Sequence, residues 1–215
     1  WATLDRNLGR AAIKSFVVEK GTPGFELARL EHKLGIRASD TAAFILKDCR
    51  VPKANLLGDA DIQAEKSFAG VMQTFDNTRP LVASMAVGLT RACIEEMARI
   101  LKDCGLVVDH DRPLHRQPHA VAEFVRMQAD YEAARLLTLQ AGWMADNAQP
   151  NSLQASLANA KAGLTCEDEA LKCVELAGSM GYTETALLEK WARDAKILDI
   201  FEGTQQIQLL IVARR

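Results

Sequence analysis

The sequence predicts an α+β fold that is mainly α, a small β-sheet remnant followed by an antiparallel helical bundle. Three observations carry that expectation. Short alternating or β-branched apolar runs fill the chain up to about residue 60, the apolar spacing changes to three-to-four from about Asp61, and prolines divide the remainder into blocks of helical length.

In the first part, Ala12–Glu19 alternates into a β-branched run and reads as a strand. The turn Gly21-Thr22-Pro23-Gly24 follows, and Phe25–Leu30 and Ala42–Val51 read as two further strands. Pro52 pushes Val51 into an extended conformation and marks the exit, which makes Lys53–Gly58 a linker. Beyond it, Phe68, Val71, Met72 and Phe75, then Leu81, Met85, Val87, Ile94 and Met97, form apolar stripes at helical spacing. Breaks at Arg112-Pro113 through Gln117-Pro118 and at Gln149-Pro150 separate three long helical blocks. The glycine-rich turn Gly178–Gly181 ends the third block, and Trp191–Asp194 and Gln205–Arg215 complete the bundle. Pro80 sits inside the first helical pattern, where its ring clashes with the carbonyl four residues back. A bend is expected there, with the Asp76 carbonyl freed from its helical bond.

Composition narrows the function. A chain of 215 residues buries a sizeable core as one large domain or two small ones, and 48% hydrophobic with 25% charged residues is ordinary for a globular protein. Lys and Arg number 26 against 28 Asp and Glu, so a net charge of −2 leaves no electrostatic footprint for nucleic acid. No apolar run approaches the ~18 residues of a membrane span. Cys49, Cys93, Cys104, Cys166 and Cys173 form no C-x-x-C pair and leave one over, which favours reduced, structural thiols and a cytoplasmic location. His110, His115 and His119 complete no zinc signature, and Pro113 and Pro118 break any common helical face, so no metal site is expected. The chain opens at Trp1 without an initiator methionine or targeting segment, which reads as a piece of something longer.

Two segments carry chemistry. Ile200-Phe201-Glu202-Gly203-Thr204 places a carboxylate beside a glycine and a potential capping hydroxyl, directly before a helical stretch. Read locally, Glu202 is either a dipole-stabilising acid at a helix entrance or a base turned into a cavity. Phe75-Asp76-Asn77-Thr78-Arg79-Pro80 gathers an acid, an amide, a hydroxyl and a guanidinium at the proline. Asp76 and Arg79 lie three apart, so a surface ion pair and a functional cluster are both open readings.

These two segments line up in order with Lys33–Thr41, Val51–Gly58 and Arg193-Asp194-Ala195-Lys196. With those five motifs, over nearly all of its length, the chain resembles the acyl-CoA dehydrogenase family. The resemblance implies that residues 1–60 are part of a middle β domain and residues 61–215 a C-terminal helical bundle domain. It also implies oxidation of an acyl-CoA to a trans-2-enoyl-CoA, with FAD as cofactor and an electron-transferring flavoprotein as partner. Glu202 matches the family's base for the α proton, with its own backbone N–H among the donors to the thioester oxygen. Arg79 would help hold that base. Asp76, Asn77, Thr78, Arg79 and Gly203 would border the substrate, and Thr204, Gln205 and Gln206 the flavin.

Two departures qualify the resemblance. The family's Arg-x-x-Phe-Gly motif, which grips the flavin of a neighbouring subunit, is replaced by Gly105–His115, and a second such segment, typically Gln-x-x-Gly-Gly, reads Glu175-Leu176-Ala177-Gly178-Ser179. Glu175 brings an anion toward a pyrophosphate position. A homo- or hetero-oligomer of related subunits is expected, in which this chain keeps the base without completing a neighbour's flavin site. The alternative is a non-catalytic scaffold subunit of a heteromeric complex.

Overall fold

A computed structural model describes residues 1–62 and 69–214, with no side-chain description at position 69. Phe68 and Arg215, counted above in apolar and helical patterns, lie outside the described residues. The chain forms two compact units, Trp1–Lys33 with Arg37–Thr74, and Leu34–Ile36 with Phe75–Arg215.

Among the described residues, the first unit contains five short strands. β1 (Ala2–Thr3), β2 (Ile13–Phe16) and β5 (Leu56–Leu57) form an antiparallel sheet in the order β1-β2-β5, while β3 (Phe25–Leu30) and β4 (Ala42–Leu46) pair separately. The β3–β4 register places Phe25 opposite Leu46 and Leu27 opposite Phe44, with a shift between Leu27 and Arg29. The Phe25 and Phe44 rings meet diagonally across the pair at 5.4 Å.

Three boundaries differ from the sequence reading. Ala12 closes a 3-10 stretch, Arg6–Ala12, so the first long strand begins one residue later and ends at Phe16. β4 stops at Leu46, because Asp48 turns the chain with φ 49°. The expected linker Lys53–Gly58 is instead a 3-10 turn, Lys53–Asn55, followed by β5, which pairs Leu57 with Ser15 and Leu56 with Phe16.

Helix α1 runs from Ala69 to Asp103. From Arg79 onward it buries Val82, Ala83, Ala86, Thr90, Cys93, Met97, Ile100 and Leu101 at helical spacing. It ends in a Schellman motif: Gly105 (φ 73°) donates to the Lys102 carbonyl, and Leu106 to that of Leu101, both at 2.9 Å. α2 (His119–Asp146) starts at Pro118 and α3 (Ser152–Ala177) at Asn151. The expected glycine turn is a cap at Gly178 (φ 57°) that leads into a one-turn helix, α4 (Ser179–Tyr182). α5 (Leu188–Ala195) continues into a 3-10 turn, Lys196–Asp199, and α6 (Gln205–Ala213) closes the chain.

α3 is the centre of this unit, packing against α2, α4, α5, α6 and the Lys196–Asp199 turn. Its buried residues are small: Ala155, Ser156, Ala158, Ala160, Ala162, Gly163, Cys166 and Ala170 are among them. Among larger buried groups, the Glu169 carboxyl is only 9% exposed, and burial first, then Asp130 and Asp168, push it from 4.5 up to about 7. No helix among the described residues is long and apolar enough to cross a membrane.

The Leu34–Ile36 segment is tied to α5. Asp194 accepts the Ile36 N–H at 2.6 Å and pairs with Lys190, while Arg193 donates to the Leu34 carbonyl at 3.2 Å. A Cβ on Gly35 would lie 2.1 Å from the Arg193 carbonyl oxygen, so only glycine permits this approach.

Two outcomes follow from this packing. Gly35→Ala forces backbone apart and costs about 2 kcal/mol or more, read as a lowered denaturant midpoint with an unchanged slope. For Glu169 the folded-state pKa is raised, so its contribution is fully favourable below pH 4.5 and is lost as pH rises toward 7. Glu169→Gln therefore stabilises the chain at pH 8, by at most about 3 kcal/mol, and the advantage disappears near pH 4 in paired denaturation curves.

Candidate functional site

Glu202 sits in the short link between the Lys196–Asp199 turn and α6. The N–H groups of Ile200 and Phe201 both donate to the Ile197 carbonyl, which winds the chain tightly up to the glutamate. Glu202 then adopts φ 61° and Gly203 φ 100°, so two successive residues are left-handed. The sequence reading gave this freedom to the glycine alone. A non-glycine residue in that region carries a cost of roughly 1–2 kcal/mol, and a glutamate held there aims its side chain away from the axis of the helix that follows.

The half-buried Glu202 carboxylate meets α1. Thr78 donates its hydroxyl to Glu202 Oε2 at 2.8 Å, joining positions 124 residues apart. One turn of α1 also supplies Arg79, only 3% exposed, whose Nη1 pairs with Asp76 Oδ1 at 2.8 Å. The guanidinium lies 5.7 Å above the Phe75 ring. Burial lowers the Arg79 pKa from its usual value, while the charges of Asp76 and then Glu202 oppose that shift. The ion pair is thus buried on its cationic side, unlike the surface pair the i,i+3 spacing also allowed.

Pro80 leaves α1 continuous from Ala69 to Asp103. The Asp76 carbonyl it frees is met by Asn151, whose Nδ2 donates to Asp76 O at 3.2 Å and to Ala141 O at 3.3 Å. Asn151 stands at the N-cap of α3 yet makes no side-chain cap bond to that helix. No sequence signal marked it, because an N-cap asparagine ordinarily bonds its own helix.

Two groups at this site keep unused hydrogen-bonding capacity. Arg79 Nε is buried without an acceptor, and the Glu202 N–H donates to none among the described residues. The first amides of α6 are also free of a side-chain cap: Thr204 supplies its carbonyl to the Gln208 N–H at 3.0 Å, but its hydroxyl does not cap, contrary to the sequence expectation. Gln205 is half-buried and Gln206 exposed beside it, and Asn77 is exposed on α1. The structure therefore brings Thr78 into contact with Glu202 and places Asp76 and Arg79 on the same turn of α1, whereas Asn77 and Gln206 face outward. Among the described residues, no group of three or more His, Cys, Asp or Glu side chains lies together in a way that would hold a metal ion.

The chain is similar to known proteins over nearly its whole length. The family profile described as acyl-CoA dehydrogenase, C-terminal domain, matches residues 68–215. The short-chain specific acyl-CoA dehydrogenase, mitochondrial, of Rattus norvegicus is 35% identical over 99% of this chain and 50% of its own length. Butyryl-CoA dehydrogenase from Megasphaera elsdenii has a similar structure, with a TM-score of 0.88 and 30% identity over 99% of this chain and 54% of its own. A chain from a study of the electron transferring flavoprotein of Acidaminococcus fermentans also scores 0.88, with 31% identity over the same shares. The chain spans about half the length of the curated relatives it matches.

The bridge made by Asn151 is open to direct measurement. Asn151→Ala takes from the Asp76 carbonyl the side-chain donor that replaces its missing helical one, removes the added bond to the Ala141 carbonyl, and costs about 1–3 kcal/mol, seen as a fall of several degrees in the thermal midpoint.

Proposed function

Because the chain belongs to the acyl-CoA dehydrogenase family, we propose that it carries the base of an FAD-dependent enzyme that converts an acyl-CoA thioester into its trans-2-enoyl-CoA. The observation that supports this best is the Glu202 carboxylate, held on a left-handed turn against Thr78 with a buried cation on the same turn of α1. In this reading residues 1–60 are part of a middle β domain and residues 61–215 the C-terminal helical domain. A short acyl chain is the substrate class, in keeping with the names of the rat and Megasphaera relatives.

The residues divide the work as follows. Thr78 occupies Oε2 of Glu202, which leaves Oε1 to take the proton from the α carbon. Charge develops on the thioester oxygen as that proton leaves, and the unused N–H of Glu202 is a donor for it. Gly203 keeps the approach to the α carbon free of a side chain. Asp76 and Arg79 hold one another, and Asn77 and Thr78 border the acyl-CoA from the same turn of α1. FAD, when bound, supplies the acceptor for the hydride that leaves the β carbon. Thr204, Gln205 and Gln206, with the uncapped first amides of α6, are the residues of this chain that fit it. An electron-transferring flavoprotein is the proposed electron acceptor, and the five unpaired cysteines favour a cytoplasmic location.

A homo- or hetero-oligomer is part of the proposal. Glu175 bears on it, since its carboxylate is exposed and paired with Lys172 at 2.7 Å, so the anion expected from the sequence is partly neutralised. The second reading, a non-catalytic scaffold subunit, draws on the same departure at positions 105–115 and 175–179.

Replacing Glu202 by Gln in the flavin-loaded enzyme that carries this chain separates the two. The expected result is a loss of roughly 10²–10⁴-fold in dye-linked turnover of a short acyl-CoA, with acyl-CoA binding retained. Equal turnover in both proteins removes Glu202 from the mechanism, and no turnover with any partner subunit favours the scaffold.

A further inference from the structure

Gln208 lies on the first turn of α6 and is fully buried. Its side-chain Nε2 donates to two carbonyl oxygens, that of Glu202 at 3.0 Å and that of Gly203 at 2.9 Å. Those are the two left-handed residues. The chain is fixed before them by the bonds to Ile197 O and after them by the Gln208 N–H on Thr204 O. Between these anchors, the carbonyls of Glu202 and Gly203 accept from Gln208 alone among the described residues.

The fit is reciprocal. A Cβ on Gly203 would sit 2.7 Å from the same Nε2, so the glycine makes room for the amide that holds it. A left-handed non-glycine residue persists only where its surroundings over-determine it, and one amide with two donor hydrogens answers that need at both positions.

We infer that Gln208 is a positioning residue for the base: by clamping the Glu202 and Gly203 carbonyls it imposes the left-handed turn that carries the Glu202 carboxylate to Thr78 and to the substrate. The inference rests on the reading of Glu202 as the base. Without the clamp, Glu202 relaxes toward ordinary backbone angles and its Cα–Cβ direction swings away from α1. Turnover then suffers while acyl-CoA affinity does not, because Gln208 meets the site only through the turn.

The test pairs hydrogen exchange with kinetics in the flavin-loaded enzyme. Gln208→Met keeps length and burial but removes both donor hydrogens, and Gln208→Glu keeps shape while losing the pair of donors. The expected result is exchange about tenfold or more faster at the Phe201 and Gln208 amides, the bonded N–H groups on either side of the turn, with α1 and α3 amides at wild-type protection, and a similar fall in kcat with KM within about twofold. Unchanged exchange at Phe201 and Gln208, or unchanged kcat, overturns the proposal. Faster exchange throughout the bundle in both variants also overturns it, since Gln208 is then a packing residue. If the Phe201 and Gln208 amides loosen selectively while Glu202→Gln retains full turnover, the base assignment fails and the clamp on the turn stands.

Discussion

The close approach of the Leu198–Asp199 backbone to α3 decides where the site forms. At Gly163 an added Cβ would lie 2.9 Å from the Leu198 carbonyl and 3.1 Å from the Asp199 Cα, so helix and turn meet main chain to main chain. The small residues along α3 create that opportunity, since alanine and glycine remove the side-chain volume that otherwise keeps elements about 8–10 Å apart. Once Leu198 is buried there and Lys196 bridges to Glu167 at 2.7 Å, little freedom remains three residues later. Glu202 enters its turn from a fixed point. The core packing of α3 and the aim of a half-buried carboxylate are therefore one constraint.

The second constraint is the accounting of backbone polar groups on α1. A proline inside a helix removes one donor and leaves one carbonyl unpaired, and an unpaired buried carbonyl is costly. Here Asn151 answers that carbonyl from the N-cap of α3, giving up its own cap bond to do so. The helix continues through Pro80, and Thr78 and Arg79 remain on a regular turn in register with Glu202. A break at Pro80 would have separated the hydroxyl from the carboxylate it now holds at 2.8 Å.

Much of this architecture was legible in the residues. The shift from strand to helical periodicity, the proline breaks and the pairing of Asp76 with Arg79 follow from local spacing, and Glu202 was marked by its glycine neighbour. What escaped depended on distant partners. β5 is two residues long and exists because Leu56 and Leu57 meet Phe16 and Ser15 across forty residues of chain, which no local pattern signals. Thr204 looked like a cap, but its hydroxyl leaves the helix amides alone. The left-handed angle at Glu202 itself was hidden because glutamate has no preference for it. Only the amide of Gln208, six residues on and inside an apolar helix, explains it. A glutamine at a position buried like a core leucine is the signal that would have exposed the clamp.

Charge distinguishes the two carboxylates near Arg79. Arg79, Asp76 and Glu202 bring one cation and two carboxylates to adjoining turns, so these three groups carry one net negative charge. Asp76 is hydrogen-bonded to the guanidinium, whereas Glu202 acts on Arg79 only through the longer-range field. Removing the Asp76 carboxylate would leave the buried Arg79 cation without its bonded partner, whereas removing that of Glu202 leaves the Asp76–Arg79 pair intact. Of the two carboxylates, only Asp76 is engaged in a direct ion pair with the guanidinium. The geometry thus separates the two: Asp76 is engaged at 2.8 Å, and Glu202 is held by one hydroxyl with its second oxygen free.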